Sequence, residues 1–409
     1  MSEIKILFVD DEPNILGGLR RMLRNMRHEW QMKFVGSGQE ALQALQEEPF
    51  DVIVSDMRMP GMNGAELLIE VMNRYPRMIR IILSGYTDQD LILKAVRPAH
   101  QYLSKPSNAD KIINTIKRAG NLRNLLKNEN LLKIVAQVDT LPSLPDLYWE
   151  ILHELRSENS SLQKIEKIIS RDVGMTAKIL QLVNSAFFGL PRHISIPAQA
   201  VSLLGIDIIK TLVLSVQIFS ESDGGEIAGF SLKEIIDHSF YTAKMAKEIA
   251  RAETGNNMVI DDAYMAGVLH DAGKMILCHN FPQQYAEVLA LTKRKEIPEF
   301  MAEKEIFGTS HSKVGAYLMG LWGMSDAVVE DIAYHHNPAA APDREFSSLT
   351  ALYVANIFEK NLNGSHDSSK NSMDYNYLTG MGMENHVDDW QELCRKVKNR
   401  SNYSWSLPE

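Results

Sequence analysis

The chain has 409 residues, which predicts two or three domains, and its two cysteines, Cys278 and Cys394, exclude a framework of disulfide bonds and are typical of the reducing cytoplasm. It has no run of about 18 apolar residues, so we expect no membrane-spanning helix. The formal net charge is −9, although residues 1–130 are nearly balanced, with 18 Lys and Arg against 16 Asp and Glu. The remainder of the chain therefore has an excess of acidic residues, which argues against a nucleic-acid partner because such a partner would need a basic face.

Short apolar runs alternate with helical patterns in the first part of the chain. Strands that alternate with helices predict five βα units around one parallel sheet, and therefore an α/β domain. The apolar runs occupy residues 4–9, 32–35, 52–55, 79–83 and 101–103.

Charged side chains follow three of these runs at the point where each run ends. Asp10 and Asp11 follow the first run, Asp56 follows the third and Lys105 lies just beyond the fifth. The carboxyl ends of parallel strands meet in one crevice, where open α/β sheets hold their sites. Three carboxylates favour a hard cation such as Mg²⁺, and one of them can attack a phosphoryl group while the metal ion and the lysine neutralise the developing charge. The pattern therefore predicts a magnesium-dependent, phosphate-accepting site.

This set of residues resembles the receiver domain of two-component response regulators, over roughly a quarter to a third of the chain. The resemblance implies a flavodoxin-like (βα)5 fold, a bound Mg²⁺ and a histidine kinase as the source of the phosphoryl group. It implies that Asp56 is phosphorylated, that Asp10 and Asp11 place the metal ion together with Asp56, and that Ser84, Tyr102 and Lys105 contact the phosphoryl group or switch with it.

Helix-forming residues continue past the expected end of the receiver domain, from about residue 108 to residue 138, with leucines at helical spacing. Two interpretations remain open. The first is a signalling helix that carries the state of the receiver to the rest of the chain and pairs with a second copy in a homodimer. The second is a long amphipathic helix that packs on its own domain.

The segment LPSLPDL at residues 141–147 marks a boundary, and helical patterns then run in series to about residue 360. No alternating strand pattern interrupts them, which predicts an all-α domain. The expected domains are a receiver at residues 1–120, an extended helix or linker at 121–139, a helical output domain at 140–360, and a polar linker with a C-terminal helix at 361–409.

A set of histidines and one aspartate stands out in the helical domain. Imidazoles with a carboxylate are the ligands with which transition-metal hydrolases bind metal and activate water. A single helix is predicted over residues 260–277, on which His270 and Asp271 point about 100° apart and can bridge two metal ions or share one. Lys274 lies one turn further on and can contact a phosphate. The set consists of His238, His270, Asp271, His311, His335 and His336.

The order of these residues resembles the HD superfamily of metal-dependent phosphohydrolases. The fuller resemblance, over about residues 141–340, is to the HDOD branch, the HD-related output domain of bacterial signalling proteins. HDOD proteins are generally regarded as non-catalytic output modules, so the resemblance implies a domain that acts by binding a partner. The segments that carry it are LPSLP, ISRDVGMTAKILQLVNSAFFGLPRHISIPAQAVSLLGID, AGVLHDAGK, HSKVGAYLMGLW and HHNP.

Two departures from the catalytic HD pattern bear on function. Asn356 stands where HD hydrolases have a late aspartate ligand, and a neutral amide removes one charge from the cage. After His336 the chain lacks the Gly-Tyr-Pro loop of the cyclic di-GMP hydrolases. We interpret the histidine set with Asn356 as a degenerate metal site, and whether it holds a transition metal stays open.

The sequence therefore predicts a cytoplasmic response regulator that is phosphorylated at Asp56 and signals through a non-catalytic HDOD domain. The expected partner of that domain is a protein, and an enzyme that makes or degrades cyclic di-GMP is one such partner. The alternative is a receiver-gated metallo-phosphohydrolase acting on a cyclic dinucleotide or a nucleotide. A metal assay on the purified protein separates the two.

Overall fold

The structure is a computed structural model, and the part of the chain that it describes leaves several gaps. Within these residues, no helix combines the length and the apolar character needed to cross a membrane. The described residues are 4–84, 98–105, 109–125, 142–143, 145–156, 160–184, 194, 196–214, 220–221, 231–341, 345–362 and 373–402.

The N-terminal domain is built on a five-stranded parallel sheet, as the sequence predicts. Its strands are β1 (Ile4–Val9), β2 (Trp30–Val35), β3 (Val52–Asp56), β4 (Ile79–Ser84) and β5 (Gln101–Ser104). The spatial order is β2-β1-β3-β4-β5, the order of the flavodoxin-like fold. Val9 pairs with Ser55, and Asp56 pairs with Leu83, so the carboxyl ends of the three central strands lie level with one another.

Helices cover both faces of this sheet, because alternate residues of each strand point to opposite sides. The described α-helices of this domain are α1 (Pro13–Met22), α2 (Gly38–Glu47), α3 (Gly64–Arg74) and α4 (Ala109–Leu125). Ile6 and Phe8 of β1 belong to the hydrophobic cluster that includes residues of α1 and α4, whereas Leu7 and Val9 belong to the cluster that includes residues of α2 and α3.

The rest of the described chain is helical apart from two strands of two residues each, β6 (Pro142–Ser143) and β7 (Ser220–Glu221), which pair in parallel. The helices are α5 (Pro145–Arg156), α6 (Leu162–Ile169), α7 (Val173–Val183), α8 (Pro197–Leu214), α9 (Leu232–Glu253), α10 (Asn257–Leu269), α11 (Ala272–Asn280), α12 (Pro282–Lys295), α13 (Glu299–Phe307), α14 (His311–Leu321), α15 (Asp326–Tyr334), α16 (Ser348–Leu362), α17 (Tyr375–Thr379) and α18 (Val387–Asn402).

His270 and Asp271, together called the HD dyad, lie at a break between two helices. The prediction of one continuous helix over residues 260–277 is therefore wrong. His270 follows the end of α10, and Asp271, with φ −99° and ψ 6°, precedes α11. The reason is the close approach of α11 to α14. A Cβ atom on Gly273 would lie 2.0 Å from the carbonyl oxygen of His311, so the chain turns at the dyad and passes α14 at backbone contact.

The C-terminal helix α18 packs on the helical domain rather than standing apart from it. Trp390 is fully buried and donates a hydrogen bond from Nε1 to Glu253 Oε1, at 2.7 Å. Cys394 is also buried, in a cluster with apolar residues of α9 and α16. Residues 373–402 therefore complete a part of the helical core.

The two domains touch one another directly. Helix α4 of the first domain contacts α14. At the edge of the sheet, Gln181 Nε2 on α7 lies 3.5 Å from the carbonyl oxygen of His100, just before β5. Ile112 and Ile116 of α4 belong to the same hydrophobic cluster as Ile179, so apolar packing is continuous across the junction.

Candidate functional site

Three of the predicted site residues converge at the carboxyl ends of β1, β3 and β5. Lys105 Nζ donates a hydrogen bond of 2.7 Å to Asp10 Oδ2 and also forms an ion pair with Asp56 Oδ1. Asp56 Oδ2 accepts from the backbone N–H of Arg58 at 2.9 Å, and Asp10 Oδ1 accepts from that of Glu12 at 3.0 Å. Both carboxylates are buried, and one ammonium group neutralises part of their charge.

The electrostatics of this pocket favour a cation. Burial raises the pKa of Asp56, and Asp10 adds to that effect, while the hydrogen bond from Lys105 opposes it. Burial alone would lower the pKa of Lys105, but its hydrogen bonds to Asp10 and Asp56 raise it overall. Asp11 is partly exposed next to Asp10. The carboxylate donors of this pocket fit Mg²⁺, which prefers oxygen ligands and keeps several waters.

The other two predicted receiver residues, Ser84 and Tyr102, make no described side-chain contact with Asp56 or Lys105. Ser84 ends β4 and pairs with Ser104 in the sheet, but its side chain lies outside the described part of the structure. Tyr102 is buried in the cluster that covers one face of the sheet, and its hydroxyl has no hydrogen-bond partner among the described residues. Burial raises the pKa of Tyr102 well above its ordinary value.

In the helical domain, four histidines surround Asp271 at the break between α10 and α11. His311 Nε2 lies 3.3 Å and His335 Nε2 lies 3.9 Å from Asp271 Oδ1. His270 Nε2 lies 3.6 Å and His238 Nε2 lies 3.8 Å from Asp271 Oδ2. Each carboxylate oxygen therefore faces two imidazole nitrogens, and the predicted set is brought together from five elements of the chain.

In all four histidines the Nδ1 atom contacts an oxygen atom of a neighbouring residue, and the Nε2 atom faces Asp271. His270 Nδ1 is 2.8 Å from the carbonyl oxygen of Gly267, and His335 Nδ1 is 2.8 Å from that of Ile332. Such contacts fix the proton on Nδ1 and leave Nε2 as the ligand nitrogen.

Carboxylates hold the other two rings. His311 Nδ1 contacts Glu303 Oε2 at 2.7 Å, and His238 Nδ1 contacts Glu359 Oε2. Neither glutamate is predicted from the sequence, because nothing in the pattern separates the two from the other acidic residues of the chain.

Two further residues of the prediction adjoin this centre. His336 Nε2 lies 3.0 Å from His311 Nε2, and its ring stacks on Phe300 with 4.5 Å between the ring centroids. Lys274 Nζ donates to Asp271 Oδ2 at 2.9 Å and lies 3.4 Å from Glu299. The lysine that we expected to contact phosphate is thus placed against carboxylates.

The donor atoms fit a transition-metal ion. Among the described residues, two groups have ligand atoms within 4.8 Å of one another, namely His238, His270 and Asp271, and His311, His335 and His336. Asp271 Oδ1, His335 Nε2 and Asn356 Oδ1 are buried without a hydrogen-bond partner within the described chain. Buried polar atoms are nearly always hydrogen-bonded, so the unsatisfied atoms of Asp271 and His335, which lie 3.9 Å apart, indicate an additional ligand.

The pKa shifts of His270, His335 and Asp271 suit metal binding. Burial lowers the pKa of His270 to about 3, and burial with the neighbouring His270 and His311 lowers that of His335 well below its usual range. Burial would raise the pKa of Asp271, but His270, Lys274 and His311 hold it well below its ordinary value. His270 and His335 are therefore neutral and Asp271 is ionised, as metal ligands must be. Burial would lower the pKa of His311, but Glu303 and Asp271 raise it overall, so this ring holds its proton more tightly and releases it on binding a metal ion.

The family models match both parts of the chain. The model of the response regulator receiver domain matches residues 6–117, and that of the HDOD domain matches residues 141–338. The chain therefore belongs to the response regulators in which a receiver domain is followed by an HDOD domain. The resemblance to receiver and HDOD domains that the sequence shows is confirmed, and so are the predicted α/β fold of the first and helical fold of the second.

Individual relatives cover less of the chain. An uncharacterized protein of Treponema pallidum is 26% identical over 234 residues, which are 56% of this chain and 44% of that protein. The hydrogenase transcriptional regulatory protein HoxA of Cupriavidus necator is 40% identical over 120 residues, 29% of this chain and 24% of its own length. The chain thus spans less than half the length of these relatives. The crystal structure of the MmoQ response regulator from Methylococcus capsulatus covers 63% of this chain and 98% of its own, with 20% identity and a TM-score of 0.48.

Proposed function

We propose that a histidine kinase phosphorylates this response regulator at Asp56 and that the HDOD domain then regulates a protein partner. The observation that carries the proposal is the position of Lys105, which bridges Asp10 and Asp56 in one crevice. Mg²⁺ held by Asp10, Asp11 and Asp56 would neutralise the charge that develops on the phosphoryl group. The carboxylate of Asp56 attacks phosphorus, the histidine of the kinase leaves, and Lys105 is placed to accompany the new negative charge.

The test of the receiver site is phosphorylation in solution. Incubation of the full chain with Mg²⁺ and acetyl phosphate should add one phosphoryl group, detected by intact mass. Asp56→Asn should remain unmodified, and Asp110→Asn, which changes an exposed aspartate on α4, should be modified normally. Undiminished modification of Asp56→Asn would refute the proposed phosphorylation site.

We infer that the HDOD domain acts by binding rather than by catalysis, and that an enzyme of cyclic di-GMP metabolism is one partner of suitable class. The neutral Asn356 and the sequence after His336, which has no Gly-Tyr-Pro loop, support this inference. The predicted helix over residues 108–138, of which the structure describes Ala109–Leu125, also supports a homodimer, since its leucines would give it an apolar stripe.

The histidine centre itself favours a second function, transition-metal binding, because four Nε2 atoms already face Asp271. Full-length protein should bind Zn²⁺ or Mn²⁺ by metal analysis after dialysis, and His270→Ala should lose that metal. A protein that retains no metal would refute the metal site.

Phosphodiesterase activity is the rival outcome. With added Mn²⁺, Fe²⁺ or Mg²⁺ we expect weak or absent turnover of cyclic di-GMP, since the late aspartate and the Gly-Tyr-Pro loop are both missing. Robust turnover that disappears in His270→Ala would replace the binding function with that of a receiver-gated metallo-phosphohydrolase.

A further inference from the structure

The charge of the histidine centre is unusually low for a metal site. Asp271 is the one carboxylate among the predicted ligands, and the ammonium of Lys274 lies 2.9 Å from its Oδ2 atom. Asn356 is neutral, and its Oδ1 atom is buried without a hydrogen-bond partner in the described chain. The negative charge of Asp271 is therefore already balanced by the positive charge of Lys274. A divalent cation would find no net negative charge in the site unless other carboxylates contribute.

Two buried glutamates stand directly behind the ligand rings. Glu303 on α13 and Glu359 on α16 are 0% and 1% exposed, respectively. Buried carboxylates are costly unless they are paired, and each of these contacts Nδ1 of an imidazole whose Nε2 faces Asp271. A carboxylate behind a ligating histidine fixes the ring and makes its other nitrogen a stronger ligand.

Glu359 has a particular relation to the missing aspartate. It lies three residues after Asn356 on α16, and residues three apart share one face of a helix. Helix α16 therefore has no carboxylate at position 356, but nearly a turn later the carboxylate of Glu359 contacts His238.

We propose that Glu359 is a positioning residue that replaces the charge absent at Asn356, and that Glu303 acts in the same way on the other side of the centre through His311. The metal site keeps its affinity because the carboxylate has moved behind a histidine ligand instead of binding the metal itself. This inference rests on the proposed metal-binding function.

The test is Co²⁺ affinity of the full chain, followed by visible absorption, which depends on the ligand geometry. Replacing an outer carboxylate of a metal site typically weakens binding 10–100-fold. We expect a loss of that size for Glu359→Gln, in which the amide oxygen can still accept from Nδ1–H but the charge is gone, and a change in the Co²⁺ spectrum. Glu303→Gln should lose affinity similarly and provides a second variant if Glu359→Gln does not fold.

Two comparisons separate positioning from a merely structural role. Glu305→Gln changes an exposed glutamate of the same helix as Glu303, paired with Lys295, and should bind Co²⁺ like the unchanged protein. Adding Asn356→Asp to Glu359→Gln returns a carboxylate to the centre and should restore most of the lost affinity.

The possible failures are distinguishable. No Co²⁺ binding by the unchanged protein would overturn the proposed metal site and this inference with it. Binding by the unchanged protein with equal affinity in Glu359→Gln, or a loss that Asn356→Asp does not restore, would overturn only the role of Glu359.

Discussion

At the proposed phosphorylation site, burial of the Asp56 carboxylate opposes folding. Burial raises the pKa of Asp56, so the folded state disfavours its ionised form relative to the unfolded chain. An acid whose pKa is raised by folding does not change the free energy of unfolding below its unfolded pKa. It lowers that free energy as pH rises from the unfolded pKa through the folded pKa. The pocket therefore opposes folding most at neutral pH, before Mg²⁺ or a phosphoryl group is present.

We expect Asp56→Asn to be more stable than the unchanged protein at pH 7 without Mg²⁺. The gain in the free energy of unfolding should be less than about 1 kcal/mol, because solvent near Lys105 screens the interaction. The difference should shrink as pH falls through the raised pKa of Asp56 towards the ordinary aspartate value of 3.8, because Asp56 then takes up its proton. Thermal unfolding at a series of pH values measures this, with Asp110→Asn as the control, and a variant that is less stable at pH 7 would contradict the account.

The residues of the receiver site could be predicted because the motif fixes both their type and their order. Asp10, Asp56 and Lys105 each follow an apolar run, and parallel strands bring such positions together. Glu303 and Glu359 could not be predicted in this way. Their roles depend on how α13 and α16 approach two distant histidines, and helical spacing alone does not determine that packing.

At the scale of the elements, the break between α10 and α11 positions the HD dyad. Helical periodicity continues across residues 260–277, so the sequence shows no signal for the break. The determinant is tertiary, since Gly273 allows α11 to touch the backbone of α14 next to His311. A second break lies inside α8, where Gly205 has a positive φ of 76°.

Gly273→Ala should destabilise the protein by about 3 kcal/mol, because a methyl group at this position meets a carbonyl oxygen that cannot move without shifting α14. Gly255→Ala is the matched control, since a Cβ atom there has no neighbour within 4 Å. Urea unfolding of the two variants gives the comparison. Equal stability would mean that the helices separate freely at the dyad and that the contact does not fix it.

At the scale of the whole molecule, the receiver and the HDOD domain share packing. The predicted long helix is described as far as Leu125, where α4 ends in the structure, and residues 126–138 of the prediction lie outside the described chain. Helix α4 contacts α14, which begins at His311, and α7 lies against the start of β5. The sequence predicted the two domains but not this junction, which no motif marks.

The junction offers a specific way to uncouple the domains. Lys178 on α7 is buried with its Nζ 5.1 Å from the ring centre of Trp322, and its charge adds to burial and Arg80 in lowering the pKa of His100. Gln181→Arg would bring another cation into this region and should weaken docking of the receiver on α7. We expect normal phosphorylation of Asp56 but loss of its effect on the HDOD domain.

Gln284→Arg, at an exposed position on α12, controls for the added charge. Backbone hydrogen exchange reports the outcome, because weaker docking should lower protection in both β5 and α7. Unchanged protection in Gln181→Arg, with intact coupling, would place the signal in the predicted helix over residues 108–138 instead.

The central claim is that phosphorylation of Asp56 reaches the HDOD domain, and hydrogen exchange with and without acetyl phosphate and Mg²⁺ tests it most directly. In the unchanged protein, phosphorylation should alter exchange in α7 and α14 as well as around β3 and β5, and Asp56→Asn should show none of these changes. Changes confined to residues 4–125 of the phosphorylated protein would contradict the account.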